Sequence, residues 1–183
     1  MRDPIIPELL FEEFLSWEAR QPEKFELHSG FIVAFAGGTS IHNTLSLNLV
    51  FALRRCYPPP CRAYGSDMKV RVSENTSYYP DASATCEEVA EGASFIESPQ
   101  IVGEVLSPST RTYDLIDKRA AYRRLPGLLA SVIVHTDRRL VEVDRTVFGR
   151  WETVNIDDGR IAVGRLSVDL DEIYAMTSLA STT

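Results

Sequence analysis

The chain has 183 residues, 44% of them hydrophobic, which is enough for one domain with a sizeable core and too few for two comfortable ones. A formal charge of −7 excludes a general electrostatic grip on nucleic acid, so any basic surface has to be local. No stretch approaches the roughly 18 apolar residues of a membrane helix, and no positively charged start precedes an apolar run, so a soluble, unexported protein is expected.

From Pro7 to Arg20, apolar residues at Leu9, Leu10, Phe14, Leu15 and Trp17 alternate with Glu8, Glu12 and Glu13, the pattern of an amphipathic helix. A hairpin follows from Lys24 to Ala36, turning at Ser29-Gly30, and its alternation places Glu26 on the opposite face from Phe25 and Leu27. Gly37 to Ser40 breaks the strand and supplies a cap for a helix over Ile41 to Arg55, with Leu45, Leu49, Ala52 and Leu53 inward and His42 near the buried edge. Pro58-Pro59-Pro60 closes this unit. Short strands are expected over Arg62 to Tyr64 and Met68 to Val72, ahead of the turn at Glu74 to Ser77.

The three cysteines, Cys56, Cys61 and Cys86, are odd in number and contain no C-x-x-C pair. Neither a disulfide framework nor a zinc ribbon is indicated, and a reducing cytoplasm fits. Beyond Pro126-Gly127, strands are expected at Leu129 to His135, Leu140 to Arg145 and Arg150 to Ile156. A short capped helix follows at Asp169 to Met176, then a frayed tail from Thr177 to Thr183. Helices and strands mix without a steady βαβ period. The fold class is therefore α+β, or a mixed-sheet α/β core flanked by helices, in a single domain over residues 1–183.

The chemistry concentrates between Tyr78 and Tyr122. Asp81 follows Pro80 at the start of an alternating run, where an aspartate is often only a turn cap. Glu104 interrupts Ile101 to Leu106, a run apolar on both faces. A carboxylate buried there is costly unless it is salt-bridged or ligates a metal. Two acids on neighbouring strands suit a hard cation such as Mg²⁺ or Mn²⁺. On a helix starting near Asp114, residues Leu115, Lys118, Tyr122 and Leu125 share one face. Lys118 is thus either a snorkelling stem or a cation aimed back at the acids. Arg111 to Arg124 carries five cations against two acids, a candidate phosphate-facing surface as well as an ordinary solvated helix face.

With FELHSG at Phe25 to Gly30, Ile41-His42-Asn43 after a Gly-Gly turn, YGSDMKVRV at Tyr64 to Val72, YYPDAS, EVLSPSTRTYD and the Lys118 to Pro126 segment, the sequence resembles the Uma-two family of restriction-type endonucleases in the PD-(D/E)xK nuclease superfamily. The resemblance implies a restriction-endonuclease-like core, a mixed central sheet flanked by helices. It also implies Asp81 and Glu104 as metal-binding acids, with a backbone carbonyl near Val105. The superfamily's usual lysine position is Leu106 here, so the resemblance places that role on Lys118. Glu26, His42, Asp114 and Tyr122 become supporting residues, and Arg111, Arg123, Arg124, Lys69 and Arg71 possible phosphate contacts. The chain departs from relatives at Ser29 and Phe31, where acids are usual, and at His135, where aspartate is usual. The expected activity is Mg²⁺-dependent (or Mn²⁺-dependent) hydrolysis of phosphodiester bonds in DNA, and two-strand cleavage by a one-site domain favours a homodimer. The competing expectation is a non-catalytic module that keeps the fold for nucleic-acid binding or assembly. A metal-independent hydrolase with paired carboxylates would need a sugar-binding aromatic cleft, of which the sequence gives no clear sign.

Overall fold

The structure, a computed structural model, describes residues 8–34, 38–107 and 114–180, apart from the side chain of residue 114. Two mixed sheets carry most of the chain. The first has the order β2-β1-β5-β4-β7 and the second β11-β10-β9-β8-β6-β3, with a separate β12-β13 hairpin.

The first sheet is built from β1 (Phe25–His28), β2 (Phe31–Ala34), β4 (Lys69–Ser73), β5 (Thr76–Tyr78) and β7 (Phe95–Ile96). Ser29 and Gly30, both at positive φ, make the tight turn between β1 and β2. Helix α1 (Phe11–Glu18) packs Phe11 and Phe14 against Leu27 of this sheet, and Glu13 reaches back to accept from the Leu10 N–H at 2.9 Å.

The second sheet contains β3 (Arg62–Gly65), β6 (Ala82–Thr85), β8 (Ile101–Val105), β9 (Ala130–Val134), β10 (Val141–Val147) and β11 (Arg150–Ile156). Strands β8 and β9 run parallel and are buried throughout, as expected for runs apolar on both faces. Against one face lies α2 (Ser40–Cys56), with Leu45, Leu49 and Leu53 fully buried among Ala82, Ala84, Ile101 and Val105. Gly103 permits this approach, because a Cβ there would lie 2.4 Å from Leu49 Cδ2. Helix α4 (Leu170–Tyr174) and the hairpin of β12 (Arg160–Val163) and β13 (Leu166–Asp169) extend the same core. Between the two sheets, a π-helical turn at Asp114–Lys118 runs into α3 (Arg119–Tyr122). Ala121, Tyr122 and Leu125 there meet Val70 and Tyr78 of one sheet and Val102 of the other.

The mixed α+β architecture follows the expectation, with differences. The first helix starts at Phe11, and β7, β12 and β13 had no sequence signal strong enough to mark them. The tail expected to fray from Thr177 is tied back as far as Ala180: Thr177 Oγ1 donates to the Tyr174 carbonyl at 2.7 Å, and Ala180 N–H to the Thr177 carbonyl at 3.2 Å. No helix among the described residues is long and apolar enough to cross a membrane.

The cysteine expectation is corrected. Cys61 and Cys86 form a disulfide, leaving Cys56 as the thiol. They flank the Arg62–Thr85 pair of the antiparallel strands β3 and β6, a neighbourhood that residue counting cannot reveal. Thiol titration of the unreduced protein should find one reactive group per chain, and reduction should lower stability by about 3.5 kcal/mol or less, the loop-closure value for a 25-residue separation. Three reactive thiols before reduction would refute the bridge.

Candidate active site

Strand pairing brings the two acids together. Ala82 faces Gly103 in the antiparallel β6–β8 ladder, so one step further Asp81 lies across from Glu104, and strand alternation points both to the same side of the sheet. Both are buried. Asp81 Oδ2 accepts from the Val105 N–H at 2.7 Å and lies 3.3 Å from His42 Nε2. His42 owes its position to the start of α2, where Thr39 Oγ1 accepts from the His42 N–H. Gly38 leaves room for the ring, since a Cβ there would lie 2.5 Å from His42 Nδ1.

Glu26 arrives from the other sheet. The short stretch Tyr79-Pro80-Asp81 connects β5 of the first sheet to β6 of the second, and the Tyr79 N–H donates to Glu26 Oε1 at 2.9 Å. Lys118, only 5% exposed, sits between the sheets with Nζ 2.9 Å from Glu26 Oε1 and 3.4 Å from Glu104 Oε1. Lys118 is therefore not a snorkelling residue. One helical turn on, Tyr122 donates its hydroxyl to Glu104 Oε1 at 2.6 Å. Burial, then the Glu104 and Glu26 charges, hold the Tyr122 phenol well above its ordinary pKa, so it remains a neutral donor. Tyr78 is raised in the same way, by burial and then Glu26; its hydroxyl is 2.6 Å from His28 Nδ1 and its ring 5.5 Å from Lys118 Nζ.

Glu26, Glu104, Lys118 and Tyr122 thus form one buried, paired cluster, and Asp81 with the half-buried His42 lies beside it across the strand register. Arg111 and the side chain of Asp114 lie outside the described residues. No basic rim forms from the remaining expected phosphate contacts. Lys69 is 1% exposed, paired with Glu18 and packed near Phe14 and Tyr79; burial pulls its pKa down while Glu18 opposes the shift. Arg71 pairs with Glu97 at 3.0 Å. Arg123 contacts the fully buried Asp144 at 2.9 Å, and Arg119 contacts Asp144 at 3.2 Å and Glu142 at 2.5 Å. Arg124 is exposed with no carboxylate partner among the described residues. The acids that neutralise these cations come from distant segments.

Asp144 and Glu142 are the charged residues that sequence reasoning missed. They tie α3, and with it Lys118 and Tyr122, to β10. Glu142 also holds the buried His135 through Nε2 at 2.8 Å, at the position where relatives were expected to carry an aspartate. Burial opposes ionisation of Glu142, but hydrogen bonds from Arg119 and His135 outweigh it and lower its pKa. Its contribution is present above the unfolded carboxylate pKa and is lost as pH falls through the lowered folded value. The signal available in sequence was the i, i+2 pair of acids within a strand, Glu142 and Asp144.

Residues 11–171 match the family described as "Uma2: Putative restriction endonuclease". The chain belongs to the Uma2 family. Curated relatives from Synechocystis include the uncharacterized protein slr1290, 36% identical over 81% of this chain and 80% of that protein. Another, sll1609, is 31% identical over 67% and 72%. A crystal structure described as a putative nuclease belonging to DUF820 from Anabaena variabilis superposes with a TM-score of 0.71. It covers 91% of this Uma2 chain and 98% of its own at 20% identity, which establishes a common fold.

Removing Lys118 should strand Glu26 and Glu104 without their shared cation. Lys118→Met is expected to destabilise the protein by about 3–5 kcal/mol, the range for breaking a buried pair. Glu26→Gln in the same chain should return about 1–3 kcal/mol. Chemical denaturation of the two single variants and the double variant measures this, and strict additivity would show that the contact carries no coupling.

Proposed function

We propose that this Uma2 protein is a metal-dependent endonuclease that hydrolyses phosphodiester bonds in DNA. The reading is carried by the convergence of Asp81 and Glu104 on one face of adjacent strands, with Lys118 beside them. Glu26 and Glu104 share the Lys118 ammonium while the buried Asp81 lies across from Glu104 without it, and the oxygen donors of Asp81 and Glu104 suit a hard cation that keeps most of its waters. Asp81 and Glu104 would hold Mg²⁺ or Mn²⁺. When bound, the ion would supply a lowered water pKa and a counter-charge for the phosphate.

The chain's own residues do the positioning. The Val105 N–H and His42 orient Asp81, and the Tyr122 hydroxyl orients Glu104. Glu26 holds the Lys118 ammonium where it can offset charge developing on a non-bridging phosphate oxygen. With one such cluster per chain, cutting both strands of a duplex takes two chains, so the active species is a homodimer.

A second reading, a non-catalytic nuclease-fold module for binding or assembly, is favoured by one observation. Among the described residues no group of three His, Cys, Asp or Glu side chains is placed to hold a metal. The two readings separate in a metal titration. Mg²⁺ or Mn²⁺ should raise the melting temperature, by the equivalent of about 2.7 kcal/mol at one hundred times Kd, and should switch on DNA cleavage. Glu104→Gln and Asp81→Ala should each remove both effects. DNA or protein binding that is indifferent to the cation, with no cleavage, would leave the module reading in place.

A further inference from the structure

At the edge strand β3, away from the acidic cluster, a pocket of about 370 Å³ is lined by Arg54, Tyr57, Pro59, Cys61, Arg62 and residues 63 and 64. Among the described residues no carboxylate lines it. Arg165 lies beside it, its guanidinium 3.7 Å from Sγ of the lining residue Cys61. This is unusual for a chain of net charge −7 in which most described cations are paired with an acid. None of Arg54, Arg62 and Arg165 has a carboxylate partner among the described residues. Neighbouring Arg55, by contrast, is bound by Glu172 and already complements the C-terminal end of α2.

The pocket is also held in shape. The Cys61–Cys86 disulfide joins its floor to β6, and Tyr57, 1% exposed, forms a fixed wall. Arg62 donates one guanidinium N–H to the Val89 carbonyl at 2.7 Å, which fixes the plane of the group. That is the only side-chain hydrogen bond of Arg62 among the described residues, so its remaining N–H groups are available. A planar guanidinium oriented as that of Arg62 is, with further arginines near it and no competing carboxylate among the described residues, suits the tetrahedral oxygens of a phosphate group, which guanidiniums bind bidentately.

Its distance from the acids indicates where that phosphate comes from. From His42 to Arg54 along α2 is about 18 Å at 1.5 Å per residue. From Asp81 to Thr85, the partner of Arg62 in the β3–β6 ladder, is about 14 Å along β6. At about 3.4 Å per nucleotide along one strand, these lengths correspond to four or five steps of duplex.

We infer that the Arg54–Arg62–Arg165 pocket is a phosphate-binding subsite that holds the backbone of the polynucleotide four or five nucleotides from the bond placed at Asp81 and Glu104. The assignment to a polynucleotide rests on the proposed endonuclease function. The phosphate chemistry of the pocket does not, because a free phosphorylated ligand would use the same groups.

The test uses the full chain carrying Arg54→Gln and Arg62→Gln, with Arg54→Gln alone as a second variant, since Arg54 is exposed on the helix end and its loss cannot disrupt the core. In a Glu104→Gln background with Ca²⁺, association with a 20-base-pair duplex is measured across a salt series. The double variant should bind about tenfold more weakly at low salt, and its slope of log affinity against log salt should be shallower by about one to two, at roughly 0.9 per phosphate contact. With Glu104 intact, cleavage of bis(p-nitrophenyl) phosphate, too small to reach the pocket, should be unchanged by the two substitutions. Separately, sodium phosphate should raise the melting temperature above sodium chloride of equal ionic strength, and the double variant should lose that increment. Loss of the phosphate increment with unaltered duplex binding would overturn the polynucleotide assignment and identify a free phosphorylated ligand. Duplex binding that needs these arginines in a protein that cleaves neither substrate would support the subsite while refuting the catalytic reading. An unchanged duplex affinity, salt slope and phosphate response in the double variant would overturn the inference.

Discussion

The ammonium of Lys118 joins two sheets that share no backbone hydrogen bonds. It contacts Glu26, on β1 of the first sheet, and Glu104, on β8 of the second, at 2.9 and 3.4 Å. Each carboxylate would be costly to bury alone, and so would the lysine. Their burial is tolerable only when α3 is seated between the sheets and the chain from β5 to β6 has made its crossing. Such a cluster adds little net stability over an apolar core, but it penalises arrangements in which the sheets or the helix are displaced. It works as a register device between layers.

Neighbouring features support that device from outside. Arg119 and Arg123 clamp the helix to Asp144 and Glu142 on β10, and Trp151 Nε1 donates to the Arg123 carbonyl at 3.1 Å. Gly103 lets α2 lie against β8, and the Thr39 cap with Gly38 sets His42 beside Asp81. The cluster therefore draws its residues from two sheets, the start of α2, the π-helical turn with α3, and the connection from Tyr79 to Asp81. Packing from both layers keeps its buried donors and acceptors in hydrogen-bond geometry.

Charge is distributed unevenly over the molecule. Among the described residues, Lys69, Arg71, Arg119 and Arg123 are each paired with a carboxylate, which leaves only Arg124 of the expected phosphate contacts exposed without one. The described arginines that stand without carboxylates gather partly at the far end of α2. On a chain of net charge −7, attraction for an anion rests on such local cations, because long-range attraction contributes little at physiological ionic strength, where the screening length is about 8 Å.

Local periodicity and local chemistry were sufficient for some of this. Leucines at helical spacing in α2, the Ser29-Gly30 turn, and the doubly apolar run around Glu104 are properties of a few consecutive residues, and the structure follows them. The same holds for Asp81 and Glu104, because an acid set in a buried strand is visible along the chain. Lys118 and Tyr122 could be placed on one helical face, but not against Glu26 and Glu104. That contact needs two sheets brought together by a crossing at Tyr79 to Asp81, and layer packing leaves no periodic trace. Ion pairing lay further out of reach. Whether Arg123 faces a phosphate or Asp144, whether Lys69 is a surface cation or a buried partner of Glu18, and whether Cys61 meets Cys86 all depend on residues 21 to 51 positions apart. Sequence set which groups could be charged, polar or buried. Only the tertiary structure decided which charges meet, because Coulombic and hydrogen-bond partners are chosen by distance in space.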